Sequence, residues 1–149
     1  MRLILILGLC FIIIFSGCKQ DKSNDASPNN PYMKISNVNN YDQTLSNDIK
    51  QRISLQEEIS IIHVVNNDQI ILIAFDVDHH HRFSLRKIAH ELEEELKDKY
   101  SDYYITVSTD QKILLELEKL EQKLKDNNLS KKELNKELEK IIKLSKDDA

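Results

Sequence analysis

The sequence predicts an α+β fold: a helix-strand-strand-helix-strand domain with a three-stranded sheet, followed by a C-terminal helical hairpin. Two runs rich in β-branched residues, 59–65 and 70–77, flank a short polar turn, which is typical of an antiparallel hairpin. Apolar residues recur at helical spacing on both sides of these runs. A third β-prone run, 103–108, follows the middle helix and completes the predicted sheet.

The first two helices are predicted from their apolar stripes. A helix from about 44 to 54 is indicated by apolar residues at every fourth position: Leu45, Ile49 and Ile53. The middle helix, 84–98, has Ser84 as a predicted N-cap, with Phe83 and Ile88 spaced for a hydrophobic staple. Its stripe comprises Leu85, Ile88, Ala89, Leu92 and Leu96.

Two further helices follow the third strand. Thr109 and Asp110 offer a cap for a helix whose stripe comprises Ile113, Leu117, Leu120 and Leu124. Ser130 and Glu133 form a capping-box pattern at the start of a final helix that carries Leu134, Leu138, Ile141 and Ile142. Both stripes are narrow and flanked by charges, so we expect the two helices to form an antiparallel hairpin.

Alternation along the strands predicts which residues form the core. One face comprises Ile71, Ile73, Phe75 and Val77 together with Tyr103, Ile105 and Val107, and should lie under the middle helix. The opposite face comprises Ile70, Leu72 and Ala74, to which we also assign Ile62 and Val64. This second face is too apolar to face water, so either the C-terminal hairpin or a protein partner covers it.

The N-terminus has the organisation of an export signal. Arg2 precedes an apolar run from Leu3 to Phe15, and Ser16 and Gly17 are small residues directly before Cys18. The run is shorter than the roughly 20 apolar residues that a membrane-spanning helix needs. The alternatives are an uncleaved anchor and a plain secretory signal with a chance cysteine.

The residues from Phe15 to Cys18 resemble the lipobox that lipoprotein signal peptidase recognises. The resemblance implies that residues 1–17 are a removed signal peptide and that Cys18 is the lipidation site. Acyl chains such as palmitate would then hold the protein at the extracytoplasmic face of the cell membrane, because two or three chains anchor a protein stably.

Composition divides the chain after residue 17 into a polar tether and a folded part. Residues 18–40 are polar, rich in Asn, Ser and Asp, and contain both prolines of the sequence, which predicts a flexible tether. The folded domain is assigned to 41–125, and an additional C-terminal helix and tail to 126–149. The mature part is long enough for one small domain.

Charge and residue usage exclude several functions. Without Arg2, 20 basic residues stand against 25 acidic ones, so a nucleic-acid partner, which requires a basic face, is not expected. Both glycines, Gly8 and Gly17, belong to the signal, which excludes glycine-rich nucleotide-binding loops from the mature chain. Cys10 also lies in the signal, so Cys18 has no disulfide partner.

One cluster of side chains could support chemistry, at the end of the second strand. Asp76, Asp78 and the histidines His79 to His81 are residue types that bind zinc, nickel or copper. Adjacent loop histidines point in different directions, however, and no further ligand is evident, so we assign no metal site and no cofactor. His63 lies between apolar residues and is interpreted as an edge or core residue. Since no catalytic arrangement of Ser, His and acid or of paired carboxylates is visible, we predict no catalytic residues and no enzyme.

Three segments together resemble the YhcN/YlaJ family of sporulation lipoproteins. They are the run 59–78 with ILIAFDVD, the helix containing Lys87, Ile88, Ala89 and Leu96, and YYITVSTD at 103–110. The resemblance implies a spore membrane as the location and a non-catalytic interaction or scaffold module as the function, acting on an unidentified protein partner of the spore envelope in germination or outgrowth. The alternative is a metal- or ligand-binding lipoprotein that uses the loop from Asp76 to His81.

Overall fold

The computed structural model describes residues 32–35, 42–126 and 128–147, and its architecture is α+β. A three-stranded sheet lies between two layers of helices. The elements in chain order are α1 Thr44–Ile53, β1 Ile59–Asn66, β2 Ile70–Val77, a 3₁₀ helix His79–Ser84, α2 Leu85–Lys99, β3 Tyr104–Ser108, α3 Gln111–Lys125 and α4 Lys131–Asp147. The fold class predicted from the sequence is therefore confirmed.

The sheet has the strand order β1-β2-β3, which places both outer strands beside β2. β1 and β2 form the predicted antiparallel hairpin. In its turn the Asn67 side-chain oxygen accepts hydrogen bonds from the backbone N–H groups of Gln69 (2.9 Å) and Ile70 (2.6 Å), which is how asparagine stabilises tight turns. β3 runs parallel to β2, and α2 provides the crossover connection that parallel strands require.

One face of the sheet packs against α1 and α2. The four side chains of β2 predicted for this face are buried there with Leu92 and Leu96 of α2, namely Ile71, Ile73, Phe75 and Val77. Ile62 and Val64 also lie on this face, so our assignment of these two residues to the opposite face is wrong. They stand directly across from Phe75 and Ile73, and directly opposed residues of an antiparallel pair project to the same side.

The other face packs against α3 and α4. Val65, Leu72 and Ala74 are buried against a layer of leucines and isoleucines from both C-terminal helices, namely Ile113, Leu114, Leu117, Leu120, Leu124, Leu134, Leu138, Ile141 and Ile142. Of the two alternatives left open by the sequence, the C-terminal hairpin is the one that covers this face. The final helix, assigned to the additional segment 126–149, therefore belongs to the core of the domain.

Two of the three predicted caps form. Asp110 accepts hydrogen bonds from the backbone N–H groups of Lys112 (2.7 Å) and Ile113 (3.1 Å), and Ser130 and Glu133 form the reciprocal capping box. The cap predicted at Ser84 is wrong, because the 3₁₀ helix continues directly into α2 and the Leu85 N–H bonds to the Arg82 carbonyl. The predicted staple is also absent, since Phe83 is fully exposed.

Residues 32–35 pack on the domain, although the sequence assigned them to the tether. Ile35 is buried in the core beneath α3 and α4. Its N–H donates to the Asn47 side-chain oxygen (3.0 Å), and its carbonyl accepts from the Asn47 amide nitrogen (2.7 Å). The other residues of 18–40 lie outside the described part of the chain. No helix among the described residues is long and apolar enough to span a membrane.

Candidate functional site

The most unusual polar feature of the described structure is a buried carboxylate, Glu121 of α3. Its side chain is fully excluded from solvent, as is that of Lys50 from α1. Oε1 accepts hydrogen bonds from Lys50 Nζ (2.8 Å) and from the backbone N–H of Val64 (2.9 Å). Oε2 lies 2.8 Å from Nδ1 of His63. Three separate elements therefore meet at one carboxylate.

The local sequence explains how Glu121 comes to be buried. It follows Leu117 by four residues and precedes Leu124 by three, so it lies in the apolar stripe of α3. That stripe faces the sheet on the side where His63 projects from β1. Lys50 reaches the carboxylate from α1, and its ammonium also donates to the Met33 carbonyl (2.8 Å). The buried charges are thus paired and hydrogen-bonded, which is the condition for their burial.

The electrostatics of the cluster follow from desolvation. Burial lowers the pKa of Lys50 below its ordinary value of 10.5, while the charge of Glu121 and their hydrogen bond act in the opposite direction. Since an ionised carboxylate only accepts hydrogen bonds, Nδ1 of His63 carries a proton toward Oε2. With Glu121 and Lys50 inaccessible and His63 only 9% exposed, the cluster has no open position for a substrate.

The cluster has a structural role at the outer edge of β1, where it hydrogen-bonds a backbone group that no neighbouring strand pairs with. The N–H of Val64 points away from β2, toward the outer side of β1, where Glu121 accepts it. Asn66 lies two positions after Val64 on β1, and its outward backbone groups are also paired. The Gln43 side chain donates to the Asn66 carbonyl (2.7 Å) and accepts from the Asn66 N–H (3.4 Å), as a neighbouring strand would. Ser46 donates its hydroxyl to the Asn66 side chain (2.6 Å), which fixes this contact.

The tract from Asp76 to His81 is not assembled as a metal centre. Oδ1 of Asp76 accepts the N–H of Val77 (2.8 Å), and Oδ2 accepts from Gln111 (2.8 Å) and lies 3.8 Å from Arg82. The three histidines occupy successive positions of the 3₁₀ helix. Over the described ranges, no group of three or more His, Cys, Asp or Glu side chains is arranged to hold a metal ion.

Of the residues that the sequence analysis considered individually for chemistry, only His63 belongs to the observed cluster, and it was not predicted to be a site residue. It lies on the outer strand β1 and is buried, in agreement with its interpretation as an edge or core residue. Cys18, the predicted lipidation site, lies outside the described residues. Sequence reasoning missed Lys50 and Glu121, although one signal was present: Glu121 is a charged residue at a stripe position of an amphipathic helix.

A comparison of the chain with models of protein families found no match, and neither the search of curated proteins nor that of solved structures found one. The resemblance to the YhcN/YlaJ sporulation lipoproteins therefore stays a prediction from the sequence.

Proposed function

We propose that this chain is a lipoprotein whose lipidated Cys18 holds a non-catalytic interaction module at the extracytoplasmic face of a membrane. The observation that carries the proposal is the order of residues at the N-terminus: one basic residue, an apolar run, then Ser16 and Gly17 directly before Cys18. The resemblance of 59–110 to the YhcN/YlaJ family supports a spore membrane as the location, with a role in germination or outgrowth.

The chemistry of the described domain supports a non-catalytic role. The cluster of ionisable groups around Glu121 is buried, and its members hydrogen-bond one another and the backbone within the fold. The carboxylate of Asp76, the first residue of the histidine tract, is engaged by Gln111 and Arg82. Neither cluster combines a free nucleophile or base with an accessible cavity, which is the arrangement that catalysis requires.

Metabolic labelling with an alkyne fatty acid tests the anchor. The full chain should incorporate the label, and Cys18→Ala should abolish it and leave the signal uncleaved. Cys10→Ala is the matched control, because it removes the other cysteine, eight residues earlier within the apolar run, and should label normally. Equal labelling of the Cys18→Ala chain would contradict the proposal.

The spore location is tested separately, with a C-terminal tag on the full chain in an endospore-forming host. We expect the tagged chain to accumulate during sporulation and to fractionate with spore membranes. Capture of crosslinked neighbours from these membranes would then identify the envelope partner. A chain equally abundant in vegetative membranes would argue against the sporulation part of the proposal and leave the lipoprotein part standing.

A further inference from the structure

The outer edge of β3 differs from that of β1 because, among the described residues, no side chain pairs with its outward backbone groups. The Tyr104 N–H bonds to the Gln69 carbonyl (2.8 Å), so the backbone groups of Tyr104 point toward β2. Successive residues of a strand direct these groups to alternate sides, so those of Ile105 and Val107 point outward. Among the described residues, the structure gives these outward N–H and C=O groups no hydrogen-bond partner.

This edge is the floor of a groove. A cavity of about 510 Å³ runs along the whole of β3, with Glu93 and Lys97 of α2 on one side and Ser145 and Lys146 of α4 on the other. An exposed strand edge with unpaired backbone groups is a template for pairing with another extended segment. The two helices leave room along the edge for that segment.

We propose that this groove receives the β3 strand of a second copy of the chain, joining two sheets into one across a two-fold axis. The proposal names a partner for the interaction module, but it rests on the sheet edge and is independent of lipidation at Cys18. With the axis at Thr106, Ile105 of one copy pairs with Val107 of the other, and the reverse. The outward N–H and C=O groups of Ile105 and Val107 then all have partners. No other antiparallel register of this short strand pairs all of them.

Charge complementarity supports a second copy as the occupant. Glu93 and Lys97 are one helical turn apart and line the same side of the groove. A two-fold axis at β3 sets the α2 helices of the two copies antiparallel, so that Glu93 of each copy faces Lys97 of the other. The apolar side chains of Ile105 and Val107 oppose each other on the α2 side of the joined sheet, which is a favourable cross-strand pair.

Disulfide trapping in membranes that contain the full chain tests the contact. Residues opposed across the axis in a non-hydrogen-bonded pair have Cα atoms about 4.5 Å apart, within the range of a disulfide. Thr106→Cys should therefore give a disulfide-linked dimer on mild oxidation. The parent chain and Leu115→Cys, which places a thiol at an exposed position of α3, should remain monomeric and control for collisions and for the native cysteines.

The register is tested with two further cysteine variants. Tyr104→Cys and Ser108→Cys should crosslink when the two chains are produced together, because residue 104 of one copy opposes residue 108 of the other. Each alone should not crosslink, since its two thiols lie four residues apart along the sheet, about 13 Å. A dimer formed by Tyr104→Cys alone would overturn the proposed register.

Charge reversal on α2 tests the same interface without touching β3, and remains informative if the cysteine variants fail to fold. In the Thr106→Cys background, Glu93→Lys alone or Lys97→Glu alone should lower the crosslinked fraction roughly tenfold, because each creates like charges across the axis. Mixing the two single-reversal chains should restore it, since the positive helix of one then faces the negative helix of the other. Within each chain the native Glu93–Lys97 pair stays broken, so restoration is specific to the contact between copies.

Three results would overturn the proposal. The first is no Thr106→Cys dimer in membranes where the chain is present and protease-resistant. The second is equal crosslinking of Leu115→Cys, which indicates collision. The third is a heavier mixed disulfide with a different protein, which assigns the edge to another partner. None of these results bears on fatty-acid labelling of Cys18, so failure here and failure of the lipoprotein proposal are distinguishable.

Discussion

The two outer strands of the sheet, β1 and β3, differ in whether their outward backbone groups are hydrogen-bonded. A strand at the edge of a sheet exposes backbone groups that invite another strand. On β1, Glu121 accepts the outward N–H of Val64, and Gln43 pairs with both backbone groups of Asn66. On β3, the outward groups of Ile105 have no partner among the described residues and line a groove.

The difference between the two edges lies in the buried charges that only β1 has beside it. Closing β1 requires a buried carboxylate, and the carboxylate in turn requires Lys50 and His63 around it, because a buried charge is costly unless it is paired. The β3 edge needs no such arrangement if another strand is its intended partner. Side chains therefore pair with the outward backbone groups of β1, while those of Ile105 and Val107 on β3 have no partner among the described residues.

The largest effect is expected from removing the charge that closes β1. Glu121→Gln keeps the shape of the side chain but leaves the Lys50 ammonium buried without a counter-charge, which should reduce the free energy of unfolding by about 3 to 5 kcal/mol. Urea denaturation followed by circular dichroism measures it. Glu118→Gln, three residues earlier on the exposed side of α3, should have little effect. An equal change in the free energy of unfolding for both variants would show that the buried ion pair contributes no more to stability than an exposed glutamate.

A smaller loss is expected at the other point of closure. Gln43→Ala leaves the N–H and C=O of Asn66 without their side-chain partner in a buried environment, which should cost about 1 to 3 kcal/mol. Gln51→Ala, at an exposed position of α1, is the matched control. Faster hydrogen exchange of the Asn66 amide should accompany the loss, and an unchanged exchange rate would indicate that Gln43 does not protect this edge.

Alkaline pH tests the electrostatics of the closed edge. Because burial lowers the pKa of Lys50 below 10.5, the unfolded chain holds this proton more tightly than the folded chain. Stability from this group therefore rises as pH increases from the lowered pKa toward 10.5. Relative to Lys50→Met, the parent chain should become more stable over this window, by about 1.4 kcal/mol for each unit by which the pKa is lowered.

Lys97 provides the comparison for the pH experiment. Its hydrogen bond to Glu93 raises the pKa of Lys97, so its contribution is present at lower pH and is lost as pH rises through the raised value. The difference between the parent and Lys97→Met should therefore change in the opposite direction. A difference between parent and Lys50→Met that stays constant with pH would contradict the assignment of a lowered pKa to Lys50.

The smallest effect on stability is expected at the open edge. Thr106→Lys leaves the backbone pairing of β3 with β2 in place, so the free energy of unfolding of the monomer should change by no more than about 1 kcal/mol, the range of strand propensities. Self-association, measured by sedimentation of the detergent-solubilised full chain, should be lost because the two lysines would face each other across the axis. Leu115→Lys should leave it intact. Unchanged association of the Thr106→Lys chain would place the contact elsewhere.

Local patterns were sufficient to predict most of the elements. The α1 helix, both strands of the hairpin and the C-terminal helices were predicted within a few residues, because periodicity and caps such as Asp110 are local signals. The face of Ile62 was assigned wrongly because alternation along β1 shows only which of its residues share a face. Which face that is depends on the pairing of β1 with β2 across the turn, and this pairing places Ile62 opposite Phe75.

The buried cluster was beyond the same kind of reasoning. Lys50 and Glu121 are 71 positions apart, and a charged residue on a helix usually faces solvent. Nothing local distinguishes Lys50 from the exposed lysines, because its burial depends on how α1 and α3 meet around β1. The open edge was unpredictable for a related reason, since the order of strands in a sheet depends on pairing between distant segments.

The attachment of residues 32–35 determines where the domain bears a mechanical force. Any pull transmitted along the chain from its N-terminal side reaches the domain before α1 begins, at the contacts of Met33 with Lys50 and of Ile35 with Asn47. These contacts must break before tension reaches the first turn of α1. A pull that detaches Met33 would remove one of the hydrogen-bond acceptors of the Lys50 ammonium, so tension on this segment would act directly on the cluster that closes β1.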